Sequence, residues 1–409
     1  MTLRGLWQHW RNFFFTPQSP MPVCVFRIFL GLIVLHTAVF QLWPDFLLYY
    51  GNNAALSVNA EIATNWKSNP MFDLFLLLPD DHSKYILLVV MIVASITLTI
   101  GLFSRASSLT VFLILLSMYH HCPGNLNAGD GMMRLTSLFL ACSAPGAALS
   151  VDSLIKNFRR DWQKEGTLPE PVSPWGQRML QLQLAIAYWE TFFGKLGGTQ
   201  WVDGSAVYIV MRDKEFFTGF PILPFMESAL VCRLLCWYTL VVEFSLAVLV
   251  WFKELRYFIL LNGLVLHLSI AYMMNLGLFE EMFVAVYVVF IEPEDLQKAL
   301  DKTQSYLAGK LPPSKKTLIF DQQCPFCLSW AGTFHRLDYF KRLRLDENGQ
   351  SGSHLTLRSN ESDVHGMAAL RSICAAIPQL WICLPLLFFP GAEALWNSKH
   401  ATAGESQNC

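Results

Sequence analysis

Residues 22–42 read PVCVFRIFLGLIVLHTAVFQL. The run carries one fixed charge, Arg27, and helical crossing of a bilayer takes roughly 20 residues. It therefore reads as a membrane span. Trp43-Pro44-Asp45 follows it, not a small-residue cleavage site, so the run reads as an uncleaved first span and not as a signal peptide. Seven further apolar runs lie at about 85–103, 107–120, 131–150, 178–195, 229–252, 257–275 and 277–291. The third and eighth are short, which suits tilted or half-inserted helices. The expected fold class is an all-α polytopic membrane domain of about eight helices, followed by a small α/β domain.

Composition agrees. Hydrophobic residues make up 53% of the 409 and charged residues only 15%, against about 25% in soluble domains. The charge deficit lies before residue 290. Phe (31) and Trp (13) are abundant, as expected where rings line bilayer interfaces. A net charge of −1 gives no global field that would draw nucleic acid.

Basic residues set the orientation. Arg4, Arg11, Arg105, the cluster Lys156, Arg159, Arg160 and Lys164, and the pair Lys253 and Arg256 all fall on the N-terminal side of an eight-span count. Lys298, Lys302, Lys310, Lys315 and Lys316 do so too, while loops 43–84 and 196–228 are poor in basic residues. The positive-inside rule then puts both termini in the cytoplasm of a multi-pass cell-membrane protein. The expected domains are a transmembrane domain at 1–293, a linker at 294–316 ending in Leu-Pro-Pro-Ser-Lys-Lys, and an α/β domain at 317–409.

Cys24, Cys142, Cys232 and Cys236 sit inside apolar runs and read as small hydrophobes. Cys324-Pro325-Phe326-Cys327 is different. Thr317–Phe320 reads as a strand before it and Leu328–Arg342 as a helix after it, with another strand at Ser353–Arg358 and helical stretches at Met367–Ala376 and Gln379–Phe389. At a strand-to-helix turn the first sulfur meets the free N–H groups and dipole of the helix start, which favour its thiolate. Cys324 is then the attacking thiol and Cys327 the resolving one. Two bland readings stand beside this: an inactive dithiol, and half of a zinc site completed by Cys374, Cys383, His335 or His365. Asp321-x-x-Cys324-Pro-Phe-Cys327, with Gly366–Arg371, Ile377-Pro378, Leu384-Pro385 and Pro390-Gly391, resembles the DCC family of thiol–disulfide oxidoreductase-like domains. That resemblance implies a thioredoxin-like fold, here truncated between the first helix and Gly366, and a thiol or disulfide protein partner.

Ionisable residues within spans are costly and default to functional candidates: His36, Arg134, Glu190, Lys195, Glu243 and His267. Arg27 is close enough to a span end to snorkel, and Arg134 can do the same or pair with Asp130. Helix–helix hydrogen bonding is the bland account of Glu243. His120-His121-Cys122 reads as a polar interfacial loop, not a metal site, because adjacent helical residues point about 100° apart.

Tyr188-Trp-Glu-Thr-Phe-Phe-Gly-Lys195-Leu196 with Trp201-Val-Asp203-Gly204 forms one distinctive element. His267-Leu-Ser-Ile-Ala-Tyr-Met-Met-Asn275 leading into Leu276-Gly-Leu-Phe279 forms another. With Asn127-Ala-Gly-Asp130 and Ser150-Val-Asp152, they resemble the HTTM domain, the membrane region shared with vitamin K-dependent γ-glutamyl carboxylases, over about residues 20–293. The resemblance implies that Lys195 is the base that deprotonates a bound hydroquinone, although the carboxylases carry two adjacent lysines where this chain has Gly194-Lys195. His267, Glu243, Asp130, Trp201 and Asp203 are the candidate pocket, and no metal ligand set is expected. Three functions stay open: a membrane redox protein that binds a quinone-like lipid and carries a cytoplasmic Cys-x-x-Cys tail, a carboxylase-like quinol oxygenase, and a non-enzymatic immunity or lipid-binding protein. The expected partners are the lipid bilayer, a quinone or hydroquinone and a thiol protein, with no nucleic acid.

Overall fold

The computed structural model describes residues 2–54, 72–122, 124, 127–158, 169–213, 221, 224–311, 316–320, 325–347, 356–359 and 362–394. The chain divides into two compact units. One comprises 1–152 and 169–293, the other 153–168 and 294–409.

The first unit is helical: α1 (Leu3–Phe15), α2 (Met21–His36), α3 (Asp81–Ile100), α4 (Ser104–His121), α5 (Ala128–Ala141), α6 (Trp175–Leu196), α7 (Ala229–Val248), α8 (Lys253–Met273) and α9 (Phe279–Val286), with shorter turns between them. Each apolar run of the sequence is thus helical. Among the described residues four segments are long and apolar enough to cross a membrane: Met21–Leu42, Asp81–Ile100, Ala229–Trp251 and Lys253–Met273. The run at 131–150 stays helical only to Ala141, because Ser143-Ala-Pro145-Gly146 stops it. The last run has eight α-helical residues and four in a 3-10 turn, Tyr287–Phe290.

Local chemistry explains the helix ends. Asp80 caps α3 by accepting from Ser83 N. Gly101 closes it in the left-handed conformation at φ +74, with Leu102 N donating to Thr97 O. Asn127 and Asp130 form a reciprocal capping box on α5. α2 continues into a π-helical stretch, Thr37–Leu42. Phe26, Leu30, Met91, Leu115, Leu180 and Phe283 lie in one buried core.

Arg27 does not reach for the surface as the sequence suggested. It is fully buried, and Nη2 donates to Leu149 O. His120 and His121 close the last turn of α4, where His121 Nδ1 lies 2.8 Å from Asp73 Oδ2. They hold the 72–75 segment and are not a free loop.

In the second unit α10 (Pro293–Lys310) occupies most of the stretch read as a linker. Then come β1 (Lys316–Ile319), α11 (Pro325–Leu337), β2 (Leu343–Asp346), β3 (Thr356–Ser359), β4 (Ser362–His365) and α12 (Gly366–Ala376). The sheet order is β2-β1-β3-β4, with β1 and β2 parallel and the other pairs antiparallel. α11 stops five residues before the expected Arg342, because the Asp338 carboxylate accepts from Arg342 N and Leu343 N and turns the chain into β2. Leu318, Phe320, Ala331, Phe334, Leu357 and Ile373 make its core.

Candidate functional site

Tyr188 and Lys195 are seven residues apart on α6, two helical turns, and so share a face. α7 brings Glu243 to that face. Lys195 Nζ lies 2.7 Å from Glu243 Oε1, with Glu243 buried and Lys195 partly so. The Trp201 ring stands 5.3 Å from the same ammonium, within cation–π range.

A second chain of polar groups lies deeper. His267 on α8 has Nδ1 hydrogen-bonded to Glu280 Oε2 of α9. Its Nε2 is hydrogen-bonded to Tyr188 Oη. Tyr188 Oη in turn lies 2.7 Å from Tyr287 Oη. All four residues are buried. The imidazole stacks on Phe283 at 5.5 Å between centroids. Gly263, one turn before His267, makes room for this chain, since a Cβ there would lie 2.5 Å from Tyr287 Oη. With Glu280 ionised, the bonds run one way: Tyr287 donates to Tyr188, Tyr188 to Nε2, and Nδ1 to the carboxylate. Glu280 Oε1 is buried without a hydrogen-bond partner. Lys195 and His267 each lie within electrostatic reach of both Glu243 and Glu280. Two carboxylates, an amine, an imidazole and two phenols therefore form one cluster inside the helical bundle, an arrangement able to move protons between carriers.

The structure thus brings Lys195, Glu243, His267 and Trp201 together. Asp203 stands apart: it is exposed and accepts from Ser205 N at the turn before residues 206–210. The Ser205 hydroxyl and N–H hold its carboxyl below the ordinary value. Asp130 lines a separate cavity with Asn127, Gln41 and Phe279. Arg134 sits 3.8 Å over the Tyr119 ring, and Glu190 and His36 are exposed. Cys324 lies outside the described residues. Cys327 is buried in the first turn of α11. Among the described residues no group of three or more His, Cys, Asp or Glu is placed to hold a metal.

Sequence reasoning missed Glu280, Tyr287 and the role of Tyr188. Glu280 carried a usable signal, since it is an acid at the head of an apolar run. The tyrosines carried none, because a ring in an apolar helix reads as packing.

The motifs also find their physical reasons. Gly129 lets α5 close on the start of α9, where a Cβ would lie 2.9 Å from Phe279 Cα. Gly277 turns the chain at φ +67 just before it. Asn127 Nδ2 donates to Leu276 O. The two elements that sequence set 149 residues apart thus meet at one end of the bundle. A family model described as HTTM domain matches residues 15–294. No curated protein and no solved structure matches the chain.

Proposed function

The chain belongs to the HTTM domain family, and from that premise we propose that its helical bundle binds a quinone-like lipid against the Lys195–Glu243–His267 cluster and exchanges protons with it. The family is associated with vitamin K-dependent carboxylase-like membrane proteins. The observation that carries the reading is the buried run of polar side chains from Tyr287 to Glu280 beside the Lys195–Glu243 pair. A protein keeps such a group of ionisable residues in an apolar bundle at a cost in stability, and function is the usual reason.

The residues fit such a group chemically. A quinone-type ring has apolar faces and two oxygens that accept or donate hydrogen bonds. Phe279, Phe283 and Trp201 supply aromatic walls around the cluster, and the buried Glu280 Oε1 has spare hydrogen-bonding capacity. Such a lipid supplies exchangeable hydroxyl protons and a two-electron couple. The chain's own residues do the rest. With the pair's proton on Glu243, Lys195 offers a free amine to a hydroxyl proton. His267 takes up a second proton that enters at Tyr287 and crosses Tyr188 to its Nε2, and hands its Nδ1 proton to Glu280.

The reading extends to the eight-crossing topology with cytoplasmic termini and to the C-terminal unit. There the β1–α11–β2 unit, followed by a hairpin and α12, supports a truncated thioredoxin-like domain. Burial of Cys327 suits a resolving thiol, with Cys324 attacking.

Mass spectrometry of lipids that copurify with the protein tests the binding. A quinone-type lipid is expected in wild type, and its reproducible absence overturns the reading in favour of a non-enzymatic module. Lys195→Arg tests the base. Arginine keeps the charge beside Glu243 but does not give up its proton, so the variant is expected to fold and lose the cellular phenotype. A retained phenotype removes Lys195 from catalysis.

A further inference from the structure

A cavity of about 210 Å³ opens at the end of the bundle where α2, α5 and α9 meet. It is separate from the Lys195–Glu243 pair. Two carboxylates, Asp45 and Asp130, stand in its wall with the Gln41 amide, the Tyr49 ring and Phe279. Among the described residues no lysine, arginine or histidine lines it. Its charge is therefore negative and its walls are partly aromatic.

A second observation is independent of that charge. Thr37 lines the cavity, is only 4% exposed, and its Oγ1 has no hydrogen-bond partner. A helical threonine ordinarily bonds the carbonyl one turn back, as Thr136 does to Met132 O at 2.7 Å. Thr37 instead begins the π-helical stretch Thr37–Leu42. Such widened turns recur at functional sites. A buried hydroxyl without a partner costs free energy unless something else satisfies it.

We infer that this cavity binds a primary organic ammonium, with Asp45 and Asp130 neutralising the charge, Thr37 Oγ1 accepting one N–H, and Phe279 facing the alkyl part. The alternative of a bare metal ion fits less well. Hard cations want a tight shell of six or more oxygens. This cavity has room for about seven waters, and Met133, Leu278 and Phe279 give it apolar walls. An amphiphilic cation uses both surfaces. The ammonium can come from a lipid headgroup of the ethanolamine type or from a free amine. The inference shares the Phe279 wall with the quinone reading but uses none of Lys195, Glu243 or His267, so either can fail without the other.

The test is thermal unfolding of the full chain in detergent, titrated with n-butylammonium chloride against sodium chloride of equal ionic strength. Saturable stabilisation is expected with butylammonium alone. Asp45→Asn, at an exposed carboxylate, should weaken the apparent affinity about tenfold or more. Thr37→Val gives the sharper readout. It removes a hydroxyl that lacks a partner, so the ligand-free protein should be as stable as wild type or more so. Its ligand-induced increment should nonetheless fall. Nanodiscs then separate the sources. Stabilisation by ethanolamine lipid over choline lipid, with butylammonium adding nothing, assigns the headgroup. Equal stability in both lipids, with butylammonium still active, assigns a free amine. Sodium or calcium chloride reproducing the effect, no saturable effect, or affinity unchanged in both variants would overturn the proposal.

Discussion

Asp152 holds the start of a helix 48 residues before it. Its Oδ1 accepts from Phe103 N at 2.8 Å, and its Oδ2 from Ser104 N and Ser104 Oγ at 2.8 and 2.7 Å. Burial acts to raise its pKa. The Ser104 N–H and hydroxyl, the Phe103 N–H and the nearby Arg27 charge outweigh that and hold the carboxyl below its ordinary value. A depressed folded-state pKa means stability that is complete above the unfolded value near 3.9 and lost as pH falls through the lower folded one. Thermal unfolding in detergent should therefore show a wild-type advantage over Asp152→Ala of about 1–2 kcal/mol at pH 7. That advantage should shrink below about pH 4. A gap that stays constant down to pH 2 would mean that Asp152 acts through packing and not charge. The resemblance drew attention to Ser150-Val-Asp152, and at the residue scale that element proves to supply a helix cap from 48 residues further along the chain.

At the scale of elements, close helix packing rests on small residues. Gly31 of α2 faces Thr99 of α3: a Cβ on Gly31 would lie 2.3 Å from Thr99 Oγ1 and 2.8 Å from Thr99 N. Backbone cannot yield as a side-chain end can. Gly31→Ala should therefore cost about 1–3 kcal/mol, the usual range for overpacking. Gly194 on α6 is the control, since a Cβ there meets nothing within 4 Å. Gly194→Ala should be neutral or stabilising by about 0.5–1 kcal/mol through helix propensity. Equal losses from both substitutions, measured by unfolding in one detergent, would show that α2 and α3 are not tightly packed. Element existence was legible in the apolar runs. The end of α5 at Ala141 was less so, because apolarity continues past it while the backbone turns at Ser143–Gly146. β2 and β4 escaped detection since each is a four-residue strand that holds its place by pairing with neighbours and not by its own pattern.

At the scale of the whole molecule, the proposed orientation rests on charge. A reporter that matures only in an oxidising exterior, fused after Cys409, should give no signal in cells. The same reporter placed in loop 43–84 should give signal, and the reverse pattern would overturn the proposed orientation. The sequence by itself determined that the chain is a membrane protein, because length and apolarity of a helix decide its solvent. It also determined most helix limits, because caps and stops act within a turn or two. It picked out Lys195, Glu243 and His267 as costly residues, because any charge in an apolar run stands out. Their partners were decided only by tertiary structure. Lys195 meets Glu243 across 48 residues, and Tyr188 meets His267 across 79. Those meetings depend on how each helix is rotated about its axis. A helix that is apolar nearly all round carries little sequence signal for that rotation, so packing at positions such as Gly263 sets which polar groups meet inside the bundle.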